Sequence, residues 1–501
     1  MSASSSILLI TVDCLRADHV GFLGYARPTT PFLDSLRKDS AVFQNAIVAG
    51  APTYYSFPAI LASRYPLALG RDILGLAPGE PTLASTLRDA GYATAAFTAA
   101  NPYLSPRFGY DQGFDVFEDF LQGPPLGEIP EPSGNRRAMR INQALRRSSS
   151  LLPPTRKLYD ELYFRYCQRR VSRHSASFDR LRRFPSADTL VDRACSWVAS
   201  VNDRPFFLWL HFMDPHAPYY PPEHALQLMG DRISPAQARY LNSYWLRSDL
   251  TTRRFRKHLQ EITALYDAGI RWVDTQIARL VSELQHTSRW HDCIFALTAD
   301  HGEEFLDHGG RYHPPDRLSE EILRVPLLLR APSLSAHSLH SPFSLIHLAP
   351  TLLDAAGVSS PVAFQGLSRW PRIQSGQLQL EEELNGSVIA ESITGSTNPF
   401  RSEDRFGSRV LVVRDGRYKL CVTFSSPLTA DLFDLDADPG ERSPTPGGQS
   451  REIRHRLLQQ ALAHVEQSRT QRDSSVRLAA RLRDLQLEWA NPDSILQTAG
   501  L

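Results

Sequence analysis

Short apolar runs, each closed by a polar side chain, alternate through this chain with text of helical period, and that alternation limits the fold more than any other feature. "ILLITVD" at 7–13, "ATAAFTA" at 93–99, "FFLWLHFMD" at 206–214, "CIFALTAD" at 293–300 and "VPLLLR" at 325–330 are apolar on both faces. Strands of that kind are covered on both sides. "TPFLDSLRKD", "PTLASTLRDAGY", "DTLVDRACSWVASV", "TALYDAGIRWVDTQIARLVSEL" and "LAPTLLDAAG" supply helices between them. The order predicts an α/β fold, a large mainly parallel β-sheet sandwiched by helices, over residues 1–384.

Two segments depart from that pattern. Residues 123–185 carry "GPPLGEIPEPSG" and then arginine-dense helical text, which predicts a basic helical insertion. Beyond residue 385, "SVIAES", "RVLVVRDGRYKLCVTF" and "DLFDLDADPGE" predict a smaller C-terminal α+β subdomain, residues 385–501, on an antiparallel sheet that turns at Asp415-Gly416. Its tail, "REIRHRLLQQALAHVEQ" and "VRLAARLRDLQLEW", has the period of amphipathic helices that pack on the body.

With 55 Lys+Arg against 54 Asp+Glu, the chain has no overall field that would draw nucleic acid, and none is expected as a partner. The first apolar run, residues 7–12, is too short for a membrane span or a secretory leader. Five scattered cysteines without a CxxC pair read as reduced thiols, so the expected location is cytoplasmic.

In folds of this class, polar residues beyond the carboxyl ends of strands form the site. Asp13, Asn101, Asp214 with His216, and Asp300 with His301 stand at four such ends, and His308 and His313 follow in glycine-bearing text. Asp13, Asp300 and His301 supply two carboxylates and an imidazole, a donor set that suits Mn²⁺, Mg²⁺, Ca²⁺ or Zn²⁺. In "APTYYSFPAILASRYP", residues 51–66, Thr53 is either a helix-entry hydroxyl or a nucleophile presented by a strand-to-helix connection. Ser56 would cap that helix equally well, with Pro58 in its first turn.

The segments "LLITVDCLRADHVGFLGYARPTTPFLDSLRKDSAVFQNA", "LHFMDPHAPYYPP", "LTADHGEEF", "LRVPLLLRAP", "LAPTLLDAAGV" and "LFDLDADPGE", in this order, resemble the sulfatase family of the alkaline-phosphatase superfamily. The resemblance implies that family's two-part fold and hydrolysis of sulfate- or phosphate-type esters at a metal. It sets Thr53 on the family's nucleophile, which is a cysteine or serine oxidised to formylglycine, with Tyr55 and Phe57 in place of the motif's proline and arginine. The lysine the family carries after the position of "GYATAAF" is absent. A threonine cannot give that aldehyde, because its Cβ carries a methyl group. It resembles instead the nucleophile of nucleotide pyrophosphatases and lipoteichoic-acid synthase-like phosphotransferases.

The same resemblance implies one divalent metal ion, Mn²⁺ favoured with Ca²⁺, Mg²⁺ or Zn²⁺ open, held by Asp13, Asp300, His301 and Thr53. Cys14 stands where many sulfatases have a second aspartate. His216 matches the histidine that contacts the transferred group, and His313 falls on the leaving-group side with His308 in reserve. Asn101 is placed to donate to a non-bridging oxygen. The expected activity is cleavage of a sulfate, phosphate or phosphonate ester, phosphoester favoured, on a small-molecule or glycan-linked anionic substrate. A phosphotransferase and a catalytically degenerate anion- or partner-binding protein are the alternatives.

Overall fold

The computed structural model describes residues 5–71, 73–121, 159, 161–166, 168, 177–332, 334–376, 387–396, 398, 401, 405–446 and 450–469. Most of the expected basic insertion, the boundary at 384 and the last amphipathic segment lie outside the described residues.

The strands of the large sheet are β1 (Ser6–Val12), β2 (Ala41–Ile47), β3 (Ala93–Thr98), β4 (Val116–Glu118), β5 (Phe206–Phe212) and β6 (Cys293–Ala299). A two-stranded ribbon follows, β7 (Glu304–Phe305) and β8 (Arg311–Tyr312), before the sheet resumes with β9 (Arg324–Arg330), β10 (His337–Leu339) and β11 (Phe343–Ser344). Their order in space is β10-β2-β9-β6-β1-β5-β3-β4, with β11 also beside β2. β1 lies parallel between β5 and β6, so Thr11 sits level with His211 and Thr298. Every residue of β3, β5 and β6 is buried, as strands apolar on both faces require. The helices Ala187–Ser200 and Leu259–His286 pack together over this sheet.

β9 runs antiparallel to both β2 and β6, so the sheet is mixed though mostly parallel. β2 itself escaped the sequence pattern. Its polar Gln44 and Asn45 interrupt the apolar run, and the register against β9 shifts between Phe43 and Ala46, where those two side chains stay half-exposed.

The second sheet is antiparallel, β12 (Val388–Ile393), β13 (Arg409–Asp415), β14 (Tyr418–Thr423) and β15 (Thr429–Asp434), side by side in chain order. β13 and β14 join through Gly416 and Arg417, and Gly416 takes a φ of +55° that the tight turn needs. Residues 451–469 are helical, and Leu457 and Ala461 close a separate core over Leu411, Val413, Leu420, Val422 and Leu432. β12 docks on the large sheet's loops, where the Glu391 amide donates to Ala49 O at 3.0 Å. Ala49 lies four residues before Thr53, so the small sheet braces the loop that presents the threonine.

Candidate active site

Because β1, β3, β5 and β6 are parallel, the residues that follow them meet at one edge. Asp13, Asn101, Asp300 and His301 are all buried there. Thr53 joins them from the first turn of the helix Thr53–Ala62, whose ten residues are all buried. That helix starts four residues earlier than a cap at Ser56 would give, and Pro58 falls in its interior. The residue at the cap is Pro52, which has no side-chain donor or acceptor, so the Thr53 hydroxyl is not consumed in capping. Ser56 Oγ donates to Thr53 O at 3.1 Å instead.

The Thr53 Oγ1 lies 3.2 Å from His301 Nε2. His301 Nδ1 is 2.9 Å from Gly302 O, a bond that puts the ring proton on Nδ1 and leaves the Nε2 lone pair facing the site. Gly302 is needed because a Cβ there would sit 1.8 Å from Glu321 O. The same Nε2 is 3.4 Å from Asp300 Oδ2 and 4.0 Å from Asp13 Oδ1. Four candidate ligand atoms therefore lie within 4.0 Å of His301 Nε2 or are that atom itself.

Three further side chains fix Asp13. Asn101 Nδ2 donates to Asp13 Oδ2 at 2.9 Å, and its Oδ1 accepts from Tyr103 N at 3.0 Å. The Asn101 amide is thus committed to holding a carboxylate rather than turned to an incoming ester. His211 Nε2 lies 3.3 Å from Asp13 Oδ2, with its Nδ1 2.9 Å from Thr11 Oγ1. Cys14 Sγ is 3.0 Å from Asp13 Oδ1. Burial pushes the Asp13 carboxyl up, but the neighbouring imidazoles of His216, His211 and His301, with the His211 hydrogen bond, outweigh it and hold the group well below the usual range. Burial, and then the Asp13 charge, raise Asp300.

His216 and His313 lie on the outer side of this cluster. Their rings are 5.4 Å apart, and the His313 ring is 4.4 Å from that of His301. His308 is not brought to them. It pairs with Glu321 at 3.2 Å, in a separate group with Glu441, and the hydrogen bond to Glu321 raises its pKa. Asp214 also turns away, toward Ser186 and Ala187 N at the start of the helix Ala187–Ser200, and burial pushes it up to about 7.

Two neighbours had no sequence signal of their own. His211 is embedded in the apolar run of β5, where a histidine reads as core, and Glu303 sits in the acidic pair of "DHGEEF". Glu303 is fully buried, and neither carboxylate oxygen has a hydrogen-bond partner.

A family model described as sulfatase matches residues 5–358, a span that carries every residue of this cluster. The chain belongs to the sulfatase family, a family of ester hydrolases. A second family model, N-sulphoglucosamine sulphohydrolase, C-terminal, matches residues 311–468. Within this family the chain is 24% identical to the multifunctional alkaline phosphatase superfamily protein PehA of Trinickia caryophylli, covering 94% of this chain and 98% of that one. It is 23% identical to an arylsulfatase of Clostridium perfringens, covering 87% and 89%. Its fold is similar to that of a phosphonate monoester hydrolase from Silicibacter pomeroyi, with a TM-score of 0.67, 20% identity, and coverage of 93% and 96%.

Proposed function

We propose that this sulfatase-family chain hydrolyses an anionic phosphate or phosphonate ester in preference to a sulfate ester, with Thr53 as the attacking hydroxyl. The observation that carries the reading is the Thr53 Oγ1, free of capping duty and 3.2 Å from His301 Nε2 at the edge where Asp13 and Asp300 meet.

Asp13, Asp300, His301 and Thr53 are the residues that would hold one divalent cation, Mn²⁺ by preference. The fit is supported by Asp300 Oδ2, a buried carboxylate oxygen without a hydrogen-bond partner, and by an oxygen-rich donor set with one imidazole nitrogen. Bound there, a divalent ion supplies the charge that offsets the carboxylates and lowers the pKa of an adjacent hydroxyl.

Thr53 Oγ1 gives up its proton and attacks phosphorus; the bond to the substrate oxygen breaks, and that oxygen leaves as the alcohol by taking up a proton. Water then attacks the phosphothreonine at phosphorus, releases phosphate or phosphonate, and returns a proton to Thr53 Oγ1. A formylglycine hydrate has a second hydroxyl from which it expels the bound anion by elimination. Threonine has none, so its ester must be opened at the central atom, which favours phosphorus over sulfur. Asn101 and His211 keep Asp13 turned to present Oδ1. His216 and His313 face the departing oxygen from the outer side. Asn101 is a positioning residue in this scheme, and His308 has no part in it.

No described helix is long and apolar enough to cross a membrane. The free thiols of Cys14, Cys195, Cys293 and Cys421 support a cytoplasmic location.

The test is turnover of a panel of aryl sulfate, phosphate monoester, phosphodiester and phosphonate substrates, after metal analysis of the purified protein. The phosphorus esters are expected to turn over fastest, Thr53→Ala to abolish turnover with the fold intact, and Thr53→Ser to retain part of it. Turnover of sulfate alone, or full activity in Thr53→Ala, would overturn the reading. Transfer to an added alcohol in place of water would move it to a phosphotransferase, and inertness toward every ester to a binding protein.

A further inference from the structure

We propose that Cys14, His216 and His313 form a binding site for a thiophilic divalent cation such as Zn²⁺, beside the carboxylate set of Asp13, Asp300 and His301. The proposal rests on the reading of this edge as a metal-dependent site and adds a second position to it. One ligand atom from each of Cys14, His216 and His313 lies within 4.8 Å of the other two. Cys14 Sγ is 3.4 Å from His313 Nδ1. A tetrahedral zinc with Zn–S of about 2.3 Å and Zn–N of about 2.0 Å would set its sulfur and nitrogen roughly 3.5 Å apart.

Three surrounding features converge on the same point. His216 Nδ1 donates to Ala217 O at 2.5 Å, which fixes the tautomer and leaves Nε2 as the basic nitrogen, the usual arrangement behind a metal-ligating imidazole. Cys14 takes a φ of +58°, the left-handed region that side-chain-bearing residues seldom adopt. That turn is held by the Tyr266 hydroxyl donating to Cys14 O at 2.7 Å and by Cys14 N donating to Asp300 Oδ1 at 3.3 Å. Independently, Glu303 stands fully buried with both carboxylate oxygens unpartnered, 3.5 Å from His313 Nδ1. A cation held by Cys14 and His313 would also answer the buried charge of Glu303 beside them.

On binding, the Cys14 thiol releases its proton to solvent and a sulfur–metal bond forms, with no change of oxidation state. Asp13 Oδ1, 3.0 Å from Cys14 Sγ, stands between the two ligand sets. The charge that faces a departing oxygen on the His216 and His313 side is then that of a thiolate-held cation.

The experiment is X-ray absorption at the zinc edge on the full-length protein loaded with two equivalents of Zn²⁺. A sulfur scatterer at about 2.3 Å is expected together with nitrogen and oxygen. It should disappear in Cys14→Ser and persist in Thr53→Ala, which removes a donor of the other ligand set. Nitrogen and oxygen alone in the wild type, or a sulfur shell that survives Cys14→Ser, would overturn the site. The wild-type spectrum decides the matter even where a variant does not fold. A sulfur shell without ester turnover would sink the functional reading and keep this site; turnover without the shell would do the reverse.

Discussion

Pro52 sets the start of the helix that carries Thr53, and with no cap to make, the threonine hydroxyl is left to the strand edge. His301 and Asp300 reach it from the end of β6, and any side chain at the following Gly302 would collide with Glu321 O. His313 lies on the outer side of this cluster, its ring 4.4 Å from that of His301. A group that stabilises charge on the departing oxygen contributes about 10²- to 10⁴-fold, and the benefit grows as the leaving group becomes more basic. His313→Ala is therefore expected to slow alkyl esters by that factor and activated aryl esters far less. The readout is the dependence of kcat/KM on leaving-group pKa, and an equal loss across the series would assign His313 to substrate binding.

The elements were unequally legible. β1, β3, β5 and β6 announced themselves because burial on both faces forces continuous apolar text; of the polar residues that follow them, Asp13, Asn101, Asp300 and His301 meet at one edge, while Asp214 turns away. β2 did not, since Gln44 and Asn45 sit at its irregularity. Nor did β9 show its direction, because apolar content says nothing of strand sense. The sequence left the helix entry open between Thr53 and Ser56, because either hydroxyl could serve a helix start; the chain enters through Pro52 and Thr53 is the first helical residue. His211 was hidden by its apolar neighbours, and Glu303 by adjacent carboxylates that include one ordinary ion pair, Glu304 with Arg317.

β12 makes an element-scale prediction through Glu391. This fully buried carboxylate accepts from Leu67 N at 2.8 Å, lies 3.2 Å from His464 Nε2 and pairs with Arg409. Burial pushes the group up, but Arg409 and His464 more than offset it and lower it to about 2 from 4.5. A folded pKa below the unfolded one contributes stability that is fully present above about pH 4.5 and is lost as pH falls toward 2. Glu391→Gln should remove on the order of 3 kcal/mol at neutral pH and flatten the acid limb of stability against pH in denaturant titrations. An unchanged acid limb would show that the docking of β12 does not depend on this charge.

At the scale of the whole molecule, two cores share one functional edge. The large sheet brings the site residues together, while the small sheet, closed by the helix at residues 451–469, braces the loop before Thr53. Leu457 is fully buried in the smaller core. Leu457→Ala should cost about 2–5 kcal/mol, read as a lowered unfolding midpoint, with hydrogen exchange rising first in β13, β14 and β15. Uniform loosening of both sheets would contradict the separation of the cores. The central claim, that this sulfatase-family chain works through a threonine, is tested most directly by peptide mass spectrometry after rapid quenching with a slowly hydrolysed phosphoester. A phosphoryl increment on the peptide containing Thr53, absent before substrate is added and absent in Thr53→Ala, is the result expected. An unmodified Thr53 peptide under conditions of steady turnover would contradict it.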